Sequence, residues 1–168
     1  FDGLLRVVIR TLQDGDIGGY KYPFGIVGNL EYSLDGKYIF TSCMGTGTFF
    51  STDGAKMSSV DRHPRSKEGA VFWYDDLFLD TDDHRLFLWD LKKDSIMFSL
   101  RTSSDITSVR GLSTKDLIIC GLDDGTLLII DDSGNIRNRF QAHEGAIFRL
   151  AVSQSGNKFA TAGNDGVV

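Results

Sequence analysis

The sequence predicts an all-β fold of repeated four-stranded antiparallel sheets, and three observations carry that reading. A polar turn returns at a nearly constant interval. Short runs of β-branched and aromatic residues fill each interval. No window of eleven or more residues carries a helical apolar stripe. The chain has 168 residues with 41% hydrophobic and 24% charged side chains, enough for a packed core and too apolar for disorder. Glycine is abundant at 19 and proline scarce at 2, which favours tight turns over extended linkers.

The turn signal is Asp2-Gly3, Asp124-Gly125 and Asp165-Gly166, with Asp83 and Gly45 in the same context. Positions 2, 45, 83, 124 and 165 are separated by 43, 38, 41 and 41 residues. A polar turn leading into an apolar strand precedes each: Ser33 to Thr41 matches Ser153 to Thr161, and Gly111 to Ile119 holds the same slot. Glu68-Gly-Ala-Val-Phe72 likewise parallels Glu144-Gly-Ala-Ile-Phe148. In the third period the strands read 106–111, 117–120, 126–130 and 136–140. Several runs are apolar on consecutive positions, so both faces of each sheet are expected to be covered. Four short strands in about 41 residues make one propeller blade. The expected divisions are 1–23 (end of one blade and a connection), 24–60, 69–100 and 104–140 (blades), and 143–168 (the first half of a blade).

The second unit is short. Gly69 to Asp83 spans 14 residues where Gly145 to Asp165 spans 20. A clipped hairpin near Asp75–Asp76, or residues missing near position 76, is expected there.

These residues resemble the WD-repeat family. Leu86-Phe-Leu-Trp89-Asp90 is similar to the Trp-Asp ending of that family's third strand. Ala142-His143-Glu-Gly resembles its Gly-His entry, and Gly163-Asn-Asp165-Gly its turn between second and third strands. The resemblance implies a hydrogen-bonded structural set of His, Ser/Thr, Asp and Trp. In this chain it assigns His143, Thr161 and Asp165 in the last unit, and Asp124 in the third, where Cys120 and Ile130 replace the hydroxyl and the indole. It assigns Asp83 and Trp89 in the second, with Leu79 at the Ser/Thr slot, and Thr41 in the first, where Gly45 replaces the Asp. The implied ring often has seven blades, about 290 residues at this period. About four blades' worth is present, so the chain is expected to be part of a larger ring, with a four-bladed ring completed by residues 1–12 as the alternative. The start at Phe1 reads as interior to a longer chain.

The candidate chemistry is thin. Asp80-Thr-Asp-Asp-His84 resembles a metal loop, but the sixth position from Asp80 is Arg85, not Gly, and the twelfth is Leu91, not Glu, so it lacks the calcium pattern. His143, Thr161 and Asp165 have the residue types of a hydrolase triad, yet they are the positions the family resemblance makes structural. Ser33-Leu-Asp-Gly resembles the start of a sialidase aspartate box without its later Thr and Trp, and reads as a turn. Gly45-Thr-Gly-Thr48 lacks the Lys-Ser/Thr pair of a phosphate loop. Two cysteines, Cys43 and Cys120, exclude a disulfide scaffold and a multi-cysteine zinc site. No catalytic, cofactor or metal site is therefore expected.

One basic cluster, Arg62-His63-Pro-Arg65-Ser-Lys67, lies between the first and second units. With Trp73 as an exposed anchor it is the candidate partner-binding loop, since Trp and Arg concentrate at hot spots. A net charge of −5 argues against nucleic acid, and no apolar run reaches 18 residues, so no membrane insertion is expected. The resemblance implies a non-catalytic scaffold or adaptor for other proteins, inside the cell and within a larger assembly. An RNA-associated scaffold and a propeller hydrolase are the alternatives. Its partners would meet the turns at 44–47, 81–85, 122–125 and 164–166 as well as the basic loop.

Overall fold

A computed structural model describes residues 5–11, 15–22, 27–43, 46–52, 56–60, 71–74, 76–112 and 116–168. The chain folds as two compact units, Phe1–Arg65 and Ser66–Val168. Every strand pair in both is antiparallel.

In the first unit, β1 (Leu5–Thr11) pairs with β2 (Gly15–Tyr22). Strands β3 (Val27–Tyr32), β4 (Tyr38–Cys43), β5 (Thr46–Ser51) and β6 (Lys56–Val60) form a meander in chain order. Ile39, Phe40, Phe49 and Phe50 are its buried centre, with the Phe40 and Phe49 rings 5.0 Å apart. The β3–β4 turn is built by its side chains. Ser33 Oγ accepts the Tyr38 N–H and donates to Asp35, which also accepts the Lys37 N–H. Gly36 takes φ +70°, a conformation costly for residues with a Cβ.

The second unit begins with β7 (Val71–Phe72), β8 (Leu77–Asp82), β9 (Arg85–Asp90) and β10 (Ser95–Arg101). Next come β11 (Ile106–Leu112), β12 (Leu117–Leu122), β13 (Thr126–Asp131) and β14 (Ile136–Gln141), then the pair β15 (Ile147–Val152) and β16 (Phe159–Gly163). β7–β10 and β11–β14 are four-stranded meanders.

Strand β11 packs against β7 and β8 on one side and β15 on the other. This stacking explains the consecutive apolar runs. Ile118, Cys120, Leu128 and Ile130 face a core shared with Val71, Trp73, Leu79, Leu86 and Leu88. Ile119 and Leu127 point the other way, into a second core with Leu112, Ile147 and Leu150. Both sheet faces of β12–β13 are thus buried, and alternation in the sequence disappears.

In the short second unit the first strand is itself short. β7 has two residues, and the Trp73 N–H donates to Leu77 O at 2.9 Å to close the turn. Asp75 lies outside the described residues. Trp73 is 2% exposed, which corrects its reading as a surface anchor. The physical reason is Gly111 on the facing strand, where a Cβ would lie 1.9 Å from the indole Cδ1. The glycine leaves a slot that the ring fills. Beside it, Tyr74 Oη donates to the Asp116 carboxylate, and burial together with that bond pushes the phenol up to about 12.

The last pair repeats the Ser33 turn without offset. Ser153 Oγ accepts the Lys158 N–H at 3.1 Å, the Gly156 N–H donates to Ser153 O, and Gly156 has φ +65°.

Candidate functional site

The densest polar arrangement is on β16 and the turn that follows it. His143 Nδ1 lies 2.9 Å and 3.1 Å from the two oxygens of Asp165, and Nε2 lies 2.8 Å from Thr161 Oγ1. The carboxylate can only accept, so the Nδ1 proton is held toward it. Asp165 also accepts the Glu144 N–H at 3.1 Å and the Val167 N–H at 3.0 Å. These bonds, His143 first, hold the Asp165 carboxyl down at about 2. The imidazole is 2% exposed. It packs against Gly163, where a Cβ would come within 2.4 Å of Nδ1.

His143 is also tied to the preceding blade. The Ala142 and His143 N–H groups donate to Gly125 O, and Gln141 Nε2 bridges Asp124 O and His143 O at 2.8 Å and 2.9 Å. Gly125 takes φ +80°, and a Cβ there would meet His143 O at 2.0 Å. The Asp-Gly pair therefore serves two ends: it turns the chain and lets the next blade's entry approach. Asp124 itself caps its own turn by accepting the Thr126 N–H at 2.9 Å.

The other expected members of the set stand apart. Thr41 is buried and its Oγ1 finds no hydrogen-bond partner. Asp83 engages through its carbonyl, which accepts the Ile106 N–H at 2.6 Å, while the residue is exposed. Trp89 does not join a polar set, because its buried Nε1 has no partner. Leu79 is not the residue beside it. Trp89 is paired with Phe78 and Leu79 with Leu88, so Asp80, two along from Phe78, shares the Trp89 side of the sheet. The β8–β9 turn holds only Asp83 and His84, and counting back from a shortened turn lands one residue off. Asp80 is 2% exposed, and it is the position that sequence spacing missed.

His84 Nε2 lies 3.2 Å from Asp105, both about half exposed. Within the Asp80–His84 run, Asp80 and Thr81 are buried in β8 and only Asp83 and His84 form the exposed turn. Among the described residues, no three His, Cys, Asp or Glu side chains gather to hold a metal. Ser33-Leu-Asp-Gly is the turn already described. Cys120 is buried, and burial pushes its thiol up to about 12, far from a nucleophile's range. Arg62, His63, Arg65 and Lys67 lie outside the described residues, as does Gly45. No helix among the described residues is long and apolar enough to cross a membrane.

Residues 134–168 match the family model described as "WD domain, G-beta repeat". That stretch begins in the β13–β14 turn and contains His143, Thr161 and Asp165. The fold is the WD-type β-propeller. Among solved structures, a chain of the mitotic checkpoint complex matches with a TM-score of 0.78 at 17% identity, over 92% of this chain and 51% of that one. The Cps50 (Swd1) β-propeller domain of Myceliophteria thermophila matches with a TM-score of 0.77 at 20% identity, over 94% and 57%. This chain thus spans about half the length of the two solved chains it resembles. Comparison with curated proteins finds no match.

The WD-type turns share one device: an aspartate spends its carboxylate on N–H groups of its own turn. Asp90, the Asp of the Trp-Asp pair, accepts the Lys93 N–H at 3.0 Å. Asp131, at the same place in the next blade, accepts those of Ser133 and Asn135. The Lys93 ammonium beside Asp90 and the Asn135 side-chain amide beside Asp131, each followed by that residue's own N–H, hold both carboxyls below the usual range.

Proposed function

We propose that this chain is a non-catalytic WD-repeat scaffold that holds other proteins together within a larger intracellular assembly. The observation that carries the reading is the fate of its polar side chains. His143, Thr161 and Asp165 have triad composition, but the imidazole is 2% exposed and both of its nitrogens face partners inside the fold. The aspartates at 35, 90, 131 and 165 brace turns in the same way. Such bracing makes rigid turns, and rigid turns present the neighbouring exposed side chains at fixed spacing with little entropy lost on binding. Asp83, Asp123, Asp124 and Glu144 are such exposed turn residues. The basic loop with Arg62, His63, Arg65 and Lys67 is proposed as a further contact. The two propellers it resembles, one of them in the mitotic checkpoint complex, support the same class of role.

The test is His143→Ala. It strands the Thr161 hydroxyl and removes the first support of Asp165, at about 1–3 kcal/mol for each group left short of a partner. Thermal melting should fall by several degrees, while background hydrolysis of an activated ester stays unchanged. Lost hydrolysis at unchanged melting would overturn the non-catalytic reading. The full-length protein should elute from size exclusion in a stoichiometric complex with other proteins. Elution as a lone chain under those conditions would overturn the scaffold reading.

A further inference from the structure

Strand β14 is the outer edge of the β11–β14 sheet, and all six of its residues are exposed. An open edge presents a row of backbone donors and acceptors, and natural sheets blunt such rows with charged side chains, Pro or cover. β14 contains no Pro, and beside its arginines it exposes two large apolar side chains, Ile136 at 48% and Phe140 at 46%. Its charges are of one sign: Arg137 and Arg139 with no acid, in a chain of net charge −5. The neighbouring outer strand β10 likewise carries Arg101 and no acid.

Register orders these groups. Arg139 is paired with Leu128 and Phe140 with Leu127, so the guanidinium and the ring stand on opposite faces of the sheet. Arg139 makes one marginal contact, 3.5 Å to Ser103 Oγ. Arg137 is 65% exposed while its Nε donates to Asp131 at 2.8 Å. A strand laid against β14 would meet a cation on one face and an aromatic ring on the other.

We infer that β14 is a docking edge for an extended segment of a partner protein in which acidic and apolar residues alternate. The segment adds as a fifth strand, with carboxylates on the Arg139 face and apolar side chains on the Phe140 face. Main-chain pairing supplies affinity and the alternation supplies specificity. The inference rests on the scaffold reading for the class of partner, and it names the surface and the chemistry of what binds there.

The experiment uses the full chain and a fluorescein-labelled octapeptide of alternating valine and glutamate, followed by anisotropy. A peptide of the same composition with valines and glutamates in separate blocks is the control, since it has the charge without the period. The alternating peptide should bind at least tenfold tighter than the block peptide. Raising salt from roughly 50 to 500 mM should weaken it by screening the Arg–carboxylate contacts. Arg139→Glu should abolish binding, and Phe140→Ser should weaken it several-fold with melting unchanged. Amide exchange should slow at 136–141. No binding, equal binding of the two peptides, or full binding by R139E would overturn the inference. A chain that fails these tests yet still elutes with other proteins loses the docking edge and keeps the scaffold reading.

Discussion

Gly111→Ala tests the packing that removed Trp73 from the surface. A methyl at 111 would sit 1.9 Å from Cδ1, 2.4 Å from Cγ and 2.6 Å from Nε1 of that indole. Contact normally begins near 3.4 Å, so the ring must move by more than an ångström. It is 2% exposed and packed in the core with Leu79 and Leu88, so it cannot yield without cost. Overpacking of this kind costs ~1–3 kcal/mol. Expelling the ring altogether would cost ~3–5 kcal/mol, which sets the ceiling. We expect about 2–4 kcal/mol by urea unfolding. Thermal melting should fall by roughly 5–15 °C, at ~2–4 °C per kcal/mol for a chain of this size. The decisive measurement is a double-mutant cycle with Trp73→Leu. In that background the added methyl has room, so Gly111→Ala should cost less than ~1 kcal/mol and the two changes should couple by ~1–3 kcal/mol. An equal cost in both backgrounds, or a harmless Gly111→Ala in the parent, would refute the packing and return Trp73 to candidacy as a surface anchor.

Three further outcomes follow from the geometry. Gly125→Ala combines a φ of +80° with a Cβ 2.0 Å from His143 O, and should cost about 2–4 kcal/mol in chemical denaturation, more than the strain of the turn alone. Asp35 and Asp165 are held at about 2, and Asp90 and Asp131 are lowered too, so their stabilisation is complete above about pH 4. It drains away as pH falls from there toward 2, and melting temperature followed across that window should drop steeply. A flat profile would show that the turn carboxylates contribute nothing. Cys120 is buried with its thiol raised to about 12, so iodoacetamide at pH 8 should leave it unmodified until denaturant is added. Rapid alkylation in the folded state would contradict its burial.

The repeat was legible because turn chemistry is local. Ser33 with Asp35 and Gly36, or Ser153 with Gly156, closes a turn with bonds that span five residues or fewer, so the same residues mark it wherever it recurs. The His143–Thr161–Asp165 set was legible through the family resemblance, carried by Ala142-His143-Glu-Gly and Gly163-Asn-Asp165-Gly, and the folded chain brings the three side chains together. Spacing failed where the β8–β9 turn is shorter: the slot assigned to Leu79 belongs to Asp80, and only strand pairing shows it. At Trp89 the reading already lacked a hydroxyl to receive the indole, and its buried N–H has no partner.

What the sequence determined by itself was the strand period, the turn positions and the excess of acid over base, because each depends on neighbours along the chain. What only the tertiary structure decided was which side chains those strands enclose. Trp73 is buried because Gly111, far from it in sequence, leaves a slot of the right size. Arg139 and Phe140 are exposed because no strand follows β14 in its sheet. Burial and edge position are properties of what lies across the gap, and no local pattern records them.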